Sequence, residues 1–295
     1  MIAGALTDAG FFSSATGDGM QLKLGKHYLD LSRPQVMGVL NRTPDSFSDG
    51  GTYTDFDTAL RQAESMCRDG AAIIDIGGES TRPGAAPVGV QEELERVVPL
   101  IERVVQELGA PVSVDTSKPE VMRAAVAVGA VMINDVYALR QLGALQAAAE
   151  TKTAVCLMHM QGEPRSMQQS PHYDDVVTEV KDFLLERATA CIAAGVARQS
   201  ILIDPGFGFG KTLAHNLELL RGLRGLADCG YPLLVGLSRK SMIGKLLGDA
   251  PVGERLYGSV AAALWAVQHG AHIVRCHDVR ATLDALRLDA ALREH

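Results

Sequence analysis

From Val36 onward the chain repeats one pattern: a short apolar run, a polar turn, then a longer amphipathic stretch. The apolar runs cover residues 36–40, 72–76, 112–114, 131–133, 154–158, 201–203, 233–237 and 272–274. Most are continuous and β-branched, the composition of parallel strands covered on both faces. Between them, apolar residues recur at helical spacing over 55–68, 92–108, 119–128, 174–194, 213–226 and 252–270.

Strands alternating with helices build either a closed α/β barrel or an open doubly wound sheet. Even spacing, and no Pro- or Ser-rich divide, favour a single (β/α)8 TIM barrel over residues 20–295. Residues 22–33 alternate around Gly25 and predict a hairpin, lying either across the barrel bottom or on the surface. Residues 1–19 lack a basic start and are rich in Gly, Ala, Ser and Thr, so they read as a flexible leader. Met20 is a candidate initiator.

Composition narrows the function classes. A net charge of -7 argues against nucleic acid as a partner, yet leaves room for a small cationic pocket. No apolar run approaches the roughly 20 residues needed for a membrane span. The five cysteines are far apart, in neither a zinc nor a disulfide pattern, which suits a reducing cytoplasm.

In a barrel the active site lies at the C-terminal ends of the strands. Here those ends read Asn41, Asp75–Gly77, Asp115, Asn134, Met158–His159, Asp204, Ser238–Lys240, and Arg275 with His277. Period-two alternation turns Asp115 and Asp204 into the mouth and Cys276 toward the helices, as a packed thiol. His159 reads as a core histidine, and Asp75 equally as loop support or ligand contact. An inward carboxylate needs a cation or a ligand donor, because an unpaired buried charge costs several kcal/mol.

The polar residues sort into two groups. Asp115, Asn134, Asp204 and Lys240 suit a flat heterocycle rich in N–H donors with a carbonyl opposite, and Arg275 could stack on its face. Asn41, Asp49, Arg275 and His277, with Ser46, Ser48 and Gly50–Gly51, suit a diphosphate held with magnesium. The loops 41–51 and 77–84 are polar, punctuated by Gly and Pro, and expected to close over substrate. The run Asp204-Pro-Gly-Phe-Gly-Phe-Gly-Lys-Thr is not a nucleotide loop, because Pro205 stands where a Walker A motif needs Gly. A tight turn presenting Phe207 and Phe209 fits it better.

These motifs, taken in order, resemble the dihydropteroate synthases from about Met20 to Arg293. They are Val-Met-Gly-Val-Leu-Asn41, Thr43-Pro-Asp-Ser-Phe-Ser-Asp-Gly-Gly51, Asp75-Ile-Gly-Gly-Glu-Ser-Thr-Arg-Pro-Gly84, Ser113-Val-Asp-Thr-Ser117, Ile133-Asn-Asp135, Met158-His-Met-Gln-Gly162, the 204–211 run, Ser238-Arg-Lys-Ser241 and Arg275-Cys-His-Asp278. The resemblance implies a transferase of folate biosynthesis that condenses hydroxymethyl-dihydropterin diphosphate with 4-aminobenzoate. It implies a pterin gripped by Asp115, Asn134, Asp204 and Lys240, framed by Val136, Met158, Phe209 and Gly236, with Arg275 stacked on it. Asn41 would bind Mg2+, and Asp49, Arg275 and His277 would manage the diphosphate. The aminobenzoate would meet Phe47, Thr81, Arg82, Pro83, Ser238 and Lys240. The catalytic set implied is thus Asp115, Lys240, Arg275, His277 and Asp49.

The resemblance also implies a homodimer through late helices, to which the small-residue segment 252–270 with its Trp is suited; core packing explains that segment equally well. One departure is Arg42, where the family usually carries Val; it would alter loop closure, reach the diphosphate or point to solvent. Two other readings stay open: a pterin-binding methyltransferase of the same barrel type, and a silent pterin-binding paralogue.

Overall fold

The structure, a computed structural model, describes residues 19–42, 52–80, 85–164 and 166–293. The leader expected over residues 1–19 lies almost wholly outside them.

An antiparallel hairpin, β1 (Gln21–Leu24) and β2 (His27–Asp30), turns at Gly25, whose φ of 61° lies in the left-handed region open to glycine. Eight strands follow: β3 (Gln35–Asn41), β4 (Ile73–Gly77), β5 (Val112–Asp115), β6 (Met132–Asp135), β7 (Ala154–Met158), β8 (Ile201–Asp204), β9 (Leu234–Gly236) and β10 (Ile273–Cys276). Each pairs in parallel with its neighbours, in the order β8-β7-β6-β5-β4-β3-β10-β9. A bridge from Ile203 to Leu233 joins the two ends, so the sheet closes. All eight expected strands are present, and with them the barrel.

The helices that return the chain are α1 (Thr52–Asp69), α2 (Val90–Arg103), α3 (Pro119–Ala127), α4 (Ala144–Thr151), α5 (Val176–Ala193), α6 (Leu213–Arg221), α7 (Leu223–Ala227), α8 (Ser241–Leu246), α9 (Leu256–Gln268) and α10 (Val279–Arg293). Three expected helices differ in detail. The helix expected over 92–108 passes into one π-type turn, Val104–Leu108, before Gly109 at φ 64°. The 213–226 segment breaks at Gly222, where a Cβ would lie 2.7 Å from Val177, so only glycine lets that corner pack on α5. The 252–270 helix starts late, because Val252–Glu254 is a 3-10 turn after Pro251.

Alternation along the strands divides the core in two. Ile74, Ile76, Val112, Val114, Ile133, Val155 and Leu157 face the helices and form the large outer core. Met37, Ile73, Met132, Ala154, Cys156, Leu202, Leu234 and Ile273 point inward. They form one buried cluster with Leu22, Leu24, Leu29 and Leu31, so the hairpin plugs the bottom of the barrel. Apolar side chains fill the lower barrel, and the polar residues are left to the other end.

Candidate active site

Strand register sets the rim. Asn41 pairs with Gly77, Gly77 with Asp115, and Asp115 with Asn134, so four adjacent strands end level. Gly77 lets two of these side chains approach: a Cβ there would lie 3.3 Å from Asn41 Oδ1 and 3.3 Å from Asp115 Cβ.

Arg275 organises the centre. Its Nε donates to Asp75 Oδ2 at 2.6 Å and its Nη2 donates to Asp115 Oδ2 at 2.7 Å. Asn134 Nδ2 donates to the same Asp75 oxygen at 3.1 Å. Asp75, wholly buried, therefore holds both the guanidinium and the amide through Oδ2, rather than the following loop through its backbone N–H groups. On Arg275, burial opposes the charge, but Asp75 and Asp115 outweigh it and hold its pKa above the ordinary value. For Asp115, burial raises the pKa, with Arg275 pulling it down and Asp75 pushing it up.

The second half of the rim rests on the 204–211 turn. Asp204 Oδ1 accepts from Gly206 N at 2.7 Å, and burial raises the Asp204 pKa against the pull of Lys240. Gly206, at φ 67°, crosses so close to β7 that a Cβ would stand 1.9 Å from the His159 carbonyl oxygen. Lys240 Nζ donates to the Phe207 carbonyl and lies 4.7 Å from the centre of the Phe209 ring. Burial lowers the Lys240 pKa to about 8. One expectation is corrected here. Phe209 faces the mouth, but Phe207 is wholly buried in the outer core, so the turn presents one ring rather than two.

Val136, Met158 and Phe209 meet in an apolar wall. Met160 and Met167 join them; Met160 follows Met158 at strand spacing, whereas nothing in the sequence marks Met167. Gly236 pairs with Arg275 across the sheet, where its missing side chain leaves space. Ser238 Oγ and His277 Nδ1 are 3.0 Å apart, and His277 N donates back to Ser238 Oγ at 3.2 Å. Arg239 is turned away from the mouth, with Nε and Nη2 on Asp278 at 3.0 and 2.5 Å. Asp49, Phe47, Thr81, Arg82 and Pro83 lie outside the described residues.

Cys276 is a buried thiol whose pKa burial raises to about 11, so it packs rather than reacts. His159 is a core histidine, edge-on to Phe183 at 4.9 Å. Arg42 does not simply point to solvent. Its guanidinium sits 3.6 Å over the Phe56 ring and Nη1 donates to the Arg96 carbonyl at 3.1 Å, because inward Asn41 turns the next residue onto α1 and α2.

Residues 37–277 match the family described as pterin binding enzyme. The chain is 56% identical to the dihydropteroate synthase of Escherichia coli (strain K12) over 260 residues, 88% of this chain and 92% of that protein. It is 52% identical to that of Haemophilus influenzae, over 91% of this chain and 98% of the relative. Among solved structures, Xanthomonas albilineans dihydropteroate synthase with 4-aminobenzoic acid superposes with a TM-score of 0.88 at 54% identity, covering 93% of this chain and 98% of that one. The same enzyme in complex with 7,8-dihydropteroate gives 0.85 at 52% identity, covering 92% and 98%. A family match over most of the chain, relatives above half identity and a shared barrel agree with the strand-end motifs: this chain belongs to the dihydropteroate synthases.

Proposed function

We propose that the chain joins a dihydropterin diphosphate to 4-aminobenzoate, releasing diphosphate, with the rim residues in the roles below. The observation that carries this reading is the convergence of Asp115, Asn134, Asp204 and Lys240 on one mouth around a twice-anchored Arg275. Asp115 and Asp204 accept N–H groups of the pterin, Asn134 and Lys240 complete its edge, and Val136, Met158 and Phe209 flank its plane. Arg275 stacks on the ring and, with His277, neutralises the departing diphosphate.

Cleavage of the bond between the methylene carbon and the diphosphate oxygen comes first. The positive charge left on the methylene spreads into the pterin ring, where Asp115 is the anion best placed to favour it. The neutral arylamine then attacks that carbon and sheds its proton, which requires no strong base. Ser238 and Lys240 line its approach, together with Phe47, Thr81, Arg82 and Pro83.

Asn41 suits Mg2+, because its amide oxygen lies over Gly77 at the mouth and offers the hard donor that ion prefers. Bound with Asn41 and substrate phosphate oxygens, Mg2+ would supply charge neutralisation for the leaving group. Homodimerisation is supported by α9, where Trp265 and Tyr257 are exposed at 44% and 85%; light scattering at twice the chain mass would bear this out. The dispersed free cysteines suit a cytoplasmic enzyme.

The test is product formation from the two substrates, with and without Mg2+, with diphosphate release measured in parallel. Dihydropteroate formation with stoichiometric diphosphate is expected. Pterin binding without diphosphate release would sink the reading, and would restore the methyltransferase or silent-paralogue alternatives.

A further inference from the structure

The 204–211 run looks like a phosphate loop ending in a lysine, yet the structure sends that lysine inward. Lys211 is 2% exposed, and its Nζ meets His159 Nδ1 at 2.9 Å, the Gly206 carbonyl at 3.0 Å and the Phe209 carbonyl at 3.1 Å. An ammonium has three donors, and here it has three acceptors.

His159 is fitted to be one of them. Burial, then Lys211 and Arg140, lower its pKa to about 2, so the ring stays neutral, and Nδ1 accepts from Lys211 in the tautomer that carries its proton on Nε2. Its backbone N donates to the Asp204 carbonyl at 2.9 Å, which ties the ring to the strand end the lysine supports. The two carbonyls bound by Lys211 belong to the turn on which Asp204, Lys240 and Phe209 depend.

We propose that Lys211 is a positioning residue for dihydropterin binding: a buried ammonium that clamps the turn and supports ionised Asp204 from behind. This rests on the assignment of Asp204 to the pterin site. The groups facing Asp204 are Lys240, Arg275 and Lys211, with the Gly206 N–H, and the Cys156 thiol beneath it. Burial pushes the Lys211 pKa well below its ordinary value, Asp204 pulls it back up and Lys240 pushes it further down, while His159 meets its Nζ directly. Removing the ammonium takes away one cation that favours the Asp204 carboxylate and leaves two carbonyls without their donor.

The test is calorimetric titration of Lys211→Met with the dihydropterin diphosphate across pH, alongside KM for 4-aminobenzoate. Expected are dihydropterin affinity weakened about tenfold or more, as for loss of a buried charged hydrogen bond, and an unchanged KM for 4-aminobenzoate. The fall of affinity with acid should also begin at higher pH than in the parent chain. A folded Lys211→Met variant with the parent's affinity and pH profile would overturn the proposal. Should that variant fail to fold, His159→Phe removes one acceptor while keeping a ring against Phe183. It should weaken dihydropterin binding several-fold with the aminobenzoate KM unmoved, and an unaltered affinity and profile there would equally overturn the proposal. A parent chain that does not bind dihydropterin at all refutes the site assignment rather than the clamp.

Discussion

Replacing Asp75 with Asn separates support of the site from contact with substrate. The change is isosteric: the amide oxygen can occupy the Oδ2 position and keep both hydrogen bonds, to Arg275 Nε and Asn134 Nδ2. What disappears is the charge. A hydrogen bond to a charged group contributes about 1.5–3 kcal/mol, roughly twice its neutral counterpart, so the loss is about 1–2 kcal/mol. It falls short of the about 3–5 kcal/mol for a broken buried pair, because Arg275 keeps Asp115 and its side chain is 21% exposed. With Asp115 its one remaining carboxylate ion-pair partner among the described residues, Arg275 competes harder with the pterin for that oxygen. Dihydropterin Kd should therefore rise about five- to thirtyfold, while KM for 4-aminobenzoate at saturating pterin stays within about twofold. Calorimetric titration, with a thermal melt as control, reads both. Unchanged pterin affinity in a folded Asp75→Asn chain, or an equal loss for both substrates, would refute the argument.

Other outcomes follow from the same geometry. Burial lowers the Lys240 pKa from 10.5 to about 8, so dihydropterin affinity should fall as pH rises through about 8 and the ammonium is lost. With the folded pKa below the unfolded one, the unliganded chain should gain stability from about pH 8 to 10.5, where only the unfolded lysine holds a proton. Urea titrations across that range should lose this slope in Lys240→Met. Leu24→Ala, which empties part of the hairpin plug, should cost about 2–5 kcal/mol by denaturant unfolding and leave kcat/KM unchanged. Arg42→Val should cost about 0.5–1 kcal/mol of stability, from the contact with Phe56, and leave KM for the dihydropterin diphosphate as it was; a raised KM would place Arg42 on the diphosphate instead.

Much of this molecule can be read without coordinates. Apolar runs at regular spacing point to eight buried parallel strands, because continuous, mostly β-branched stretches suit strands covered on both faces. Period-two alternation then sends Asp115, Asn134, Asp204 and Arg275 inward at the strand ends, and the chain's own pattern determines that much. It does not determine which inward groups meet. Asp75 and Arg275 are 200 residues apart, and only barrel closure brings their side chains to 2.6 Å. Register likewise decides that Asn41 and Asp115 flank Gly77 from the strands on either side. The same holds inside the 204–211 run, where the sequence suggested a tight turn with two displayed rings. Left-handed Gly206, Gly208 and Gly210 instead bury Phe207 and fold Lys211 back onto its own carbonyls. Local sequence sets the direction of each side chain, and closure of the barrel sets its partner, because partners lie on strands far apart in the chain.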